Sequence, residues 1–263
     1  MFLFFKQNKL SSTETVDAIQ KIVYEYLKPL GFRKHGRAMH RFVDGDISQV
    51  VELQNGCPQK GVTGVLWVNL GIRVPECVER TFTPSEPKKF YHEYECNIRV
   101  RLGEYVDGKE HPYDLKCKPE TIGGDIVERL EMHILPVFET LNSREAILAH
   151  RREHKRFDSL NHHLIELEEA MIYGRAGDRS RAEKVFVRYY LRQLEEYRHE
   201  LEHGRPTYLR RFDRVTYKNS ATGRIETVEA KEDGYVTLFN ASDGHLRSLR
   251  ETAGKLGIAL PEM

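Results

Sequence analysis

The chain has 263 residues, 40% apolar and 31% charged, which is enough apolar material for a core and too much for a disordered polymer. Lys and Arg total 41 against 40 Asp and Glu, a net +1 that argues against nucleic acid as the main partner, because phosphate binding needs a basic excess or stripe. The apolar start, Met1 to Phe5, is too short for a signal-peptide core or a membrane span, and no other run approaches the length of a span, so a soluble cytoplasmic protein is expected.

Ser11 and Ser12 open a helix, with Glu14 three residues after Ser11 as in a capping box. Val16, Ile19, Val23, Leu27 and Leu30 recur on one face of it, and Pro29 and Gly31 end it. His40–Val43 and Ile47–Gln54 read as a hairpin across Asp44-Gly45, and Asn55-Gly56 with Pro58 marks the next turn. Val65–Val74 carries the strongest strand signal. Leu66, Val68, Leu70, Ile72 and Val74 point one way; Val65, Trp67, Asn69, Gly71 and Arg73 point the other. After a charged, Pro-rich loop from Pro75 to Lys89, a strand is predicted over Tyr94–Tyr105, where Cys96, Ile98, Val100 and Leu102 alternate with Glu95, Asn97, Arg99 and Arg101. These strands offer an aliphatic face to the first helix and a polar face elsewhere, an antiparallel sheet covered by helices on one face. Gly71 and Gly103, isolated in or at the end of strands, point to a bulge or a close backbone approach.

Beyond Gly123-Gly124 the spacing of Ile126, Leu130 and Ile134 predicts a helix that Pro136 must kink or restart. A second helix is expected from near Ser143 towards Tyr173, with Phe157, Leu160, Leu164, Leu167 and Met171 as its stripe. Gly177-Asp178 then turns the chain into a helix with Ala182, Val185, Phe186, Tyr189, Leu194, Tyr197 and Leu201 inward, completing an αα-hairpin. Residues 214–240 read as a small β-meander with turns at Thr222-Gly223 and Asp233-Gly234, and a helix over 246–256 follows. The fold class is α+β, with one domain over 1–142 and a second, helical hairpin plus meander, over 143–263.

Leu30-Gly31-Phe32-Arg33-Lys34, Gln49-Val50-Val51, Val68-Asn69-Leu70-Gly71-Ile72 with Pro75-Glu76, and Cys96-Asn97-Ile98-Arg99-Val100-Arg101-Leu102-Gly103 together resemble the bacterial family known as domain of unknown function 4304. The resemblance covers roughly the first 140 residues and implies a fold without implying an activity, a cofactor or catalytic residues. It departs at His111-Pro112-Tyr113-Asp114, where the family is expected to carry an aspartate and paired tryptophans. Ala170, Tyr173, Gly177, Asp178, Ala182 and Phe186 stand at spacings similar to one tetratricopeptide helical hairpin, and a lone unit cannot form the stacked groove of a repeat array.

Candidate chemistry is sparse. Cys57, Cys77, Cys96 and Cys117 lie about twenty residues apart, without the close pairs of a zinc ribbon or redox dithiol. His199-Glu200-Leu201-Glu202-His203 matches a zinc-protease pattern, but periodicity places His199 on the solvated side of its helix. His150-Arg151-Arg152-Glu153-His154 matches the inverted pattern amid basic neighbours that favour a wet helix face. No nucleophile elbow, phosphate loop or dinucleotide fingerprint is present, and no cofactor is implied. The segment Leu249 to Ile258 has a helix-turn-helix flavour without a recognition helix after it.

The remaining candidate is the polar sheet face: Trp67, Asn69 and Arg73 beside Asn97, Arg99 and Arg101. An exposed Trp among arginines is a common anchor composition for protein recognition. The expected function is therefore a non-enzymatic protein-binding module, of the immunity or regulatory class, using this face and the 75–89 loop. The competing reading is a metal-dependent hydrolase built on one of the two histidine pairs. A homo-oligomer is compatible with either.

Overall fold

The structure, a computed structural model, describes residues 11–56, 64–153 and 165–261, the Arg151 side chain excepted. The fold is α+β, and the chain divides into two compact units between Glu168 and Glu169 in sequence.

In the first unit, α1 (Ser12–Leu27) begins at the capping box its sequence calls for. Ser11 Oγ accepts the Glu14 N–H at 3.3 Å, and the Glu14 carboxylate accepts the Ser11 N–H at 2.8 Å. Val16, Ile19, Val23 and Leu27 are fully buried, but Leu30 is 40% exposed. The reason is local: a 3₁₀ turn over Lys28–Leu30 ends at Gly31 in the left-handed region (φ 87°), which swings Phe32 into the core instead.

The sheet is antiparallel, in the order β1 (Arg33–His35), β2 (Ala38–Val43), β3 (Ile47–Gly56), β4 (Val65–Arg73) and β5 (Ile98–Arg101), with β6 (Tyr113–Asp114) beside the start of β4. Leu66, Val68, Leu70, Ile72 and Val74 are buried as the alternation requires. On their face β3 adds Ile47, Val51 and Leu53, and α1 packs on β3. α4 (Pro119–Arg129) packs on α1 and contains Gly123-Gly124, which sequence reading had placed before the helix. A side chain at Gly123 would put its Cβ 2.9–3.0 Å from Ile22, so this glycine lets two helices approach rather than breaking one. Pro136 acts as expected: a π turn at Leu130–Ile134 precedes it, and α5 (Leu135–Thr140) restarts with Pro136 in its first turn. Buried Gln49, on the helix-covered face, donates from Nε2 to the carbonyls of Phe138 (2.5 Å) and Leu141 (3.1 Å), tying sheet to α5.

The strand expected over 94–105 is shorter at both ends. Its start is a 3₁₀ turn at Glu93–Glu95, and its end is α3 (Leu102–Asp107). At Gly103 a Cβ would lie 2.8 Å from the His111 backbone nitrogen, so the chain bends where two backbones meet and only glycine fits. The Pro-rich loop likewise opens with α2 (Pro75–Glu79) before becoming irregular. The unit also includes α6 (Arg144–Glu153).

α7 (Ile165–Arg175) runs across the division between the units and turns at Gly177 (φ 86°) into α8 (Arg179–His203) of the second unit, which Asp178 caps by accepting the Arg181 N–H at 3.1 Å. Ala170, Met171, Ala182, Phe186 and Tyr189 are fully buried in this hairpin, while Phe157, Leu160 and Leu164 of the expected stripe lie outside the described residues. The C-terminal strands refine the expected meander. β8 (Arg214–Lys218) pairs with β9 (Ile225–Glu229) across Thr222-Gly223, but β10 (Gly234–Leu238) pairs back to β7 (Arg205–Leu209). Asp233 accepts the Arg211 N–H at 2.7 Å, next to the Gly234–Leu209 pair at the end of that ladder. α9 (Gly244–Leu256) closes the unit on α8 through Tyr189 Oη and His245 Nε2 at 3.0 Å.

Candidate functional site

Cross-strand register places Ser48, Val50, Glu52 and Gln54 of β3 opposite Arg73, Gly71, Asn69 and Trp67 of β4, and Arg99 and Arg101 of β5 opposite Gly71 and Asn69. These residues share the face turned away from α1, and they divide into a covered end and an open end.

The covered end holds Arg73, which is only 5% exposed. Its guanidinium lies 4.1 Å from the centroid of the buried Tyr91 ring and donates to Glu79 at 2.8 Å. Cys96 packs beside Ala38 and Val50, directly over Gly71. Asn97 accepts the Val74 N–H at 2.7 Å and so fastens the strand ends. Arg73, buried, and Asn97, half-buried, therefore fasten the segment 75–97 to the sheet. A Cβ at Gly71 would meet Cys96 Sγ at 2.7 Å and Cys96 Cβ at 2.9 Å. Gly71→Ala is expected to cost about 1–3 kcal/mol by lifting this cover, measured as a lower urea midpoint at unchanged slope.

Two carboxylates clamp the cover. Burial opposes ionisation of Glu79, but the Ser85 N–H and Arg73 outweigh it and hold its pKa below the ordinary 4.5. Glu95 is lowered in the same way, its burial outweighed by the His92 N–H and Lys88. A depressed carboxylate pKa stabilises the fold fully above the unfolded value and loses that contribution as pH falls through the folded one. The cover is thus expected to loosen below about pH 4.5, with amide exchange at Ser85 and His92 rising before global unfolding. Exchange that stays flat until the whole unit melts would refute this.

The open end forms a cleft of about 560 Å³. Asn69 is its floor, 8% exposed, donating from Nδ2 to Gln54 Oε1 at 2.8 Å. Arg99 makes a bidentate pair with Glu93 at 2.7 and 3.0 Å. Arg101 lies over the Trp67 ring, 4.2 Å from its centroid, and pairs with Glu110. Arg37 pairs with Asp17 at 2.7 Å. Glu52 accepts the Glu93 N–H at 2.7 Å and contacts His92 Nδ1 at 2.9 Å. Trp67, Asn69, Arg99 and Arg101 are thus brought together as their alternation implies.

Sequence reading had missed Glu52, Gln54, Glu93 and Arg37. The first two left a signal: the hairpin length puts the polar residues of β3 opposite Asn69 and Trp67. Glu93 and Arg37 left none, since they arrive from turns.

Of the two histidine pairs only one is described in full. His199 and His203 are exposed on α8, their rings 4.5 Å apart. His150 is half-buried on α6, and His154 lies outside the described residues, as does Cys57. Among the described residues no group of three or more His, Cys, Asp or Glu could hold a metal. Cys77 and Cys96 are buried and Cys117 exposed, and burial pushes the Cys96 thiol well above its ordinary pKa, which makes it a poor nucleophile. No helix of the described residues is long and apolar enough to cross a membrane. At the departure from the family pattern, Tyr113 donates to Asp125 at 2.7 Å, and burial first, then that carboxylate, raises its phenol.

Residues 23–140 match the family described as Domain of unknown function (DUF4304), so the whole sheet and its cleft lie inside the matched segment. No match was found among curated proteins or solved structures.

Proposed function

We propose that this protein is a non-enzymatic protein-binding module whose first unit receives a segment of a partner in the open cleft. The observation that carries the reading is the Arg101–Trp67 stack set beside a cleft floored by amide side chains. Trp and Arg are the residue types that most often dominate binding energy at protein interfaces. The cleft volume falls within the range of ligand sites, 300–1,000 Å³ in general. Gln54, Asn55 and Asn69 each offer one carbonyl and one NH₂ group, the complement of a peptide unit. Tyr94, 67% exposed, extends the rim from the segment that follows the Pro-rich loop. An immunity or regulatory partner is the cellular role such a module would fill.

A photo-crosslinking residue at Gln54, in the protein expressed in its own host, tests the reading, with the same residue at Tyr235 of the second unit as control. A discrete adduct is expected from Gln54 and not from Tyr235. Trp67→Ala is expected to weaken the identified complex by about 30-fold or more, as for an interface hot spot of 2 kcal/mol or above. An adduct that survives Trp67→Ala and Arg101→Glu in the folded protein would remove the cleft from the interface.

A further inference from the structure

We infer that the cleft accepts a cationic side chain, Lys or Arg, projecting from the partner segment, with Glu104 as its acceptor; this rests on the binding-module reading above. Each guanidinium lining the cleft already has a carboxylate. Arg99 holds Glu93, Arg101 holds Glu110, and Arg37 holds Asp17. Glu52 has both oxygens engaged, by His92 and by the Glu93 N–H. Glu104 lines the same cleft, half-buried on α3; its backbone carbonyl accepts the Gly108 N–H, but its carboxylate makes no hydrogen bond or ion pair with any described residue. Three guanidinium groups and four carboxylates thus line the cleft, with Arg37 paired to Asp17 outside it, and the imbalance falls on Glu52 and Glu104.

The three kinds of occupant differ in what each must disrupt. An anion would have to displace a carboxylate from its arginine. The best-placed guanidinium, Arg99, is held by Glu93, whose side chain is 7% exposed and would be left buried without its counter-ion. A neutral segment would cover Glu104 and remove water from it without replacing the lost hydrogen bonds. A cation disrupts no existing pair, and its attraction to Glu104 strengthens as the cleft is dried. The exposed Tyr94 ring in the same lining adds a surface on which an ammonium or guanidinium group binds well.

Trp67 is the only tryptophan in the chain and lies under Arg101, so its fluorescence reports on the cleft. The full-length protein would be titrated with acetylated, amidated Gly-Ser-Arg-Ser-Gly and with its Gln and Glu counterparts, followed by Trp67 emission and by calorimetry. Saturable binding of the Arg peptide is expected, at least tenfold tighter than the Gln or Glu peptide. Glu104→Gln is expected to abolish that preference while leaving the thermal melt unchanged. Equal affinity for the Arg and Gln peptides, preference for the Glu peptide, binding of none of them, or a preference that survives Glu104→Gln each overturns the inference. The Gln54 adduct, repeated in Glu104→Gln, then separates the two failures: if it persists and still needs Trp67, only the cationic occupant is wrong.

Discussion

Replacing Arg144 by Ala is expected to destabilise the first unit by about 3–5 kcal/mol, the cost of removing one partner from a buried ion pair. Arg144, the first residue of α6, donates from Nε and Nη2 to Glu76 at 2.7 and 3.0 Å. It reaches Asp46 at 2.8 Å and Asp44 at 3.1 Å as well, joining α6 to α2 and to the β2–β3 turn. Glu76 is 0% exposed, so without Arg144 its carboxylate has neither water nor a counter-ion. Burial opposes the charge on Arg144 too, but its hydrogen bonds to Glu76 and Asp46 outweigh that and hold its pKa above the ordinary guanidinium value. Thermal denaturation checks this: for a unit of this size the melting temperature should fall by roughly 6–20 °C. The paired change Arg144→Met with Glu76→Leu should recover most of the loss, because removing both charges removes the desolvation problem. A single-mutant loss below about 1 kcal/mol would show that Glu76 finds another partner.

Arg99→Ala is expected to cost about 2–3 kcal/mol, less than Arg144→Ala because Arg99 is 28% exposed and water can reach its partner's vacated side. The change removes both hydrogen bonds to Glu93, which is 7% exposed in its side chain and forms one wall of the cleft. Lysine at this position should recover only part of the loss, since an ammonium group cannot reproduce the parallel fork of a guanidinium. Urea denaturation followed by Trp67 emission gives the stability and, through its folded baseline, the state of the cleft. A Lys variant as stable as the native protein would mean that charge alone, and not the bidentate geometry, holds Glu93 in place.

These two residues also show how legibility varies along the chain. Arg99 was visible as a polar residue alternating with buried Ile98 and Val100, because strand period is a property of neighbours. Its partner Glu93 was not, because it sits in a turn that exists only where Glu52 accepts its N–H. Arg144 carried no signal at all. Its partners are 68, 98 and 100 residues away in the chain, and nothing local marks an arginine as one that will meet a buried glutamate. The same contrast separates Gly31 from Gly123. The first ends a helix through its own backbone angle, whereas the second is small only because Ile22 of another helix lies against it.

What could be read along the chain was therefore whatever depends on near neighbours: the capping box and apolar stripe of α1, the alternation of β4, the β2–β3 hairpin, the restart at Pro136 and the αα-hairpin after Gly177. Those features give the α+β class and put Trp67, Asn69, Arg99 and Arg101 on one face. Which half of that face stays open was set by tertiary packing. Tyr91, from the irregular loop, and Cys96, which the alternation predicts on the aliphatic face but the Glu93–Glu95 turn delivers to the other, cover Arg73 and Gly71, while the Trp67 end is left uncovered. Periodicity reports that a side chain leaves the strand on a given side, but whether it meets water or protein depends on where a distant segment can bury its own aromatic ring and satisfy its own backbone.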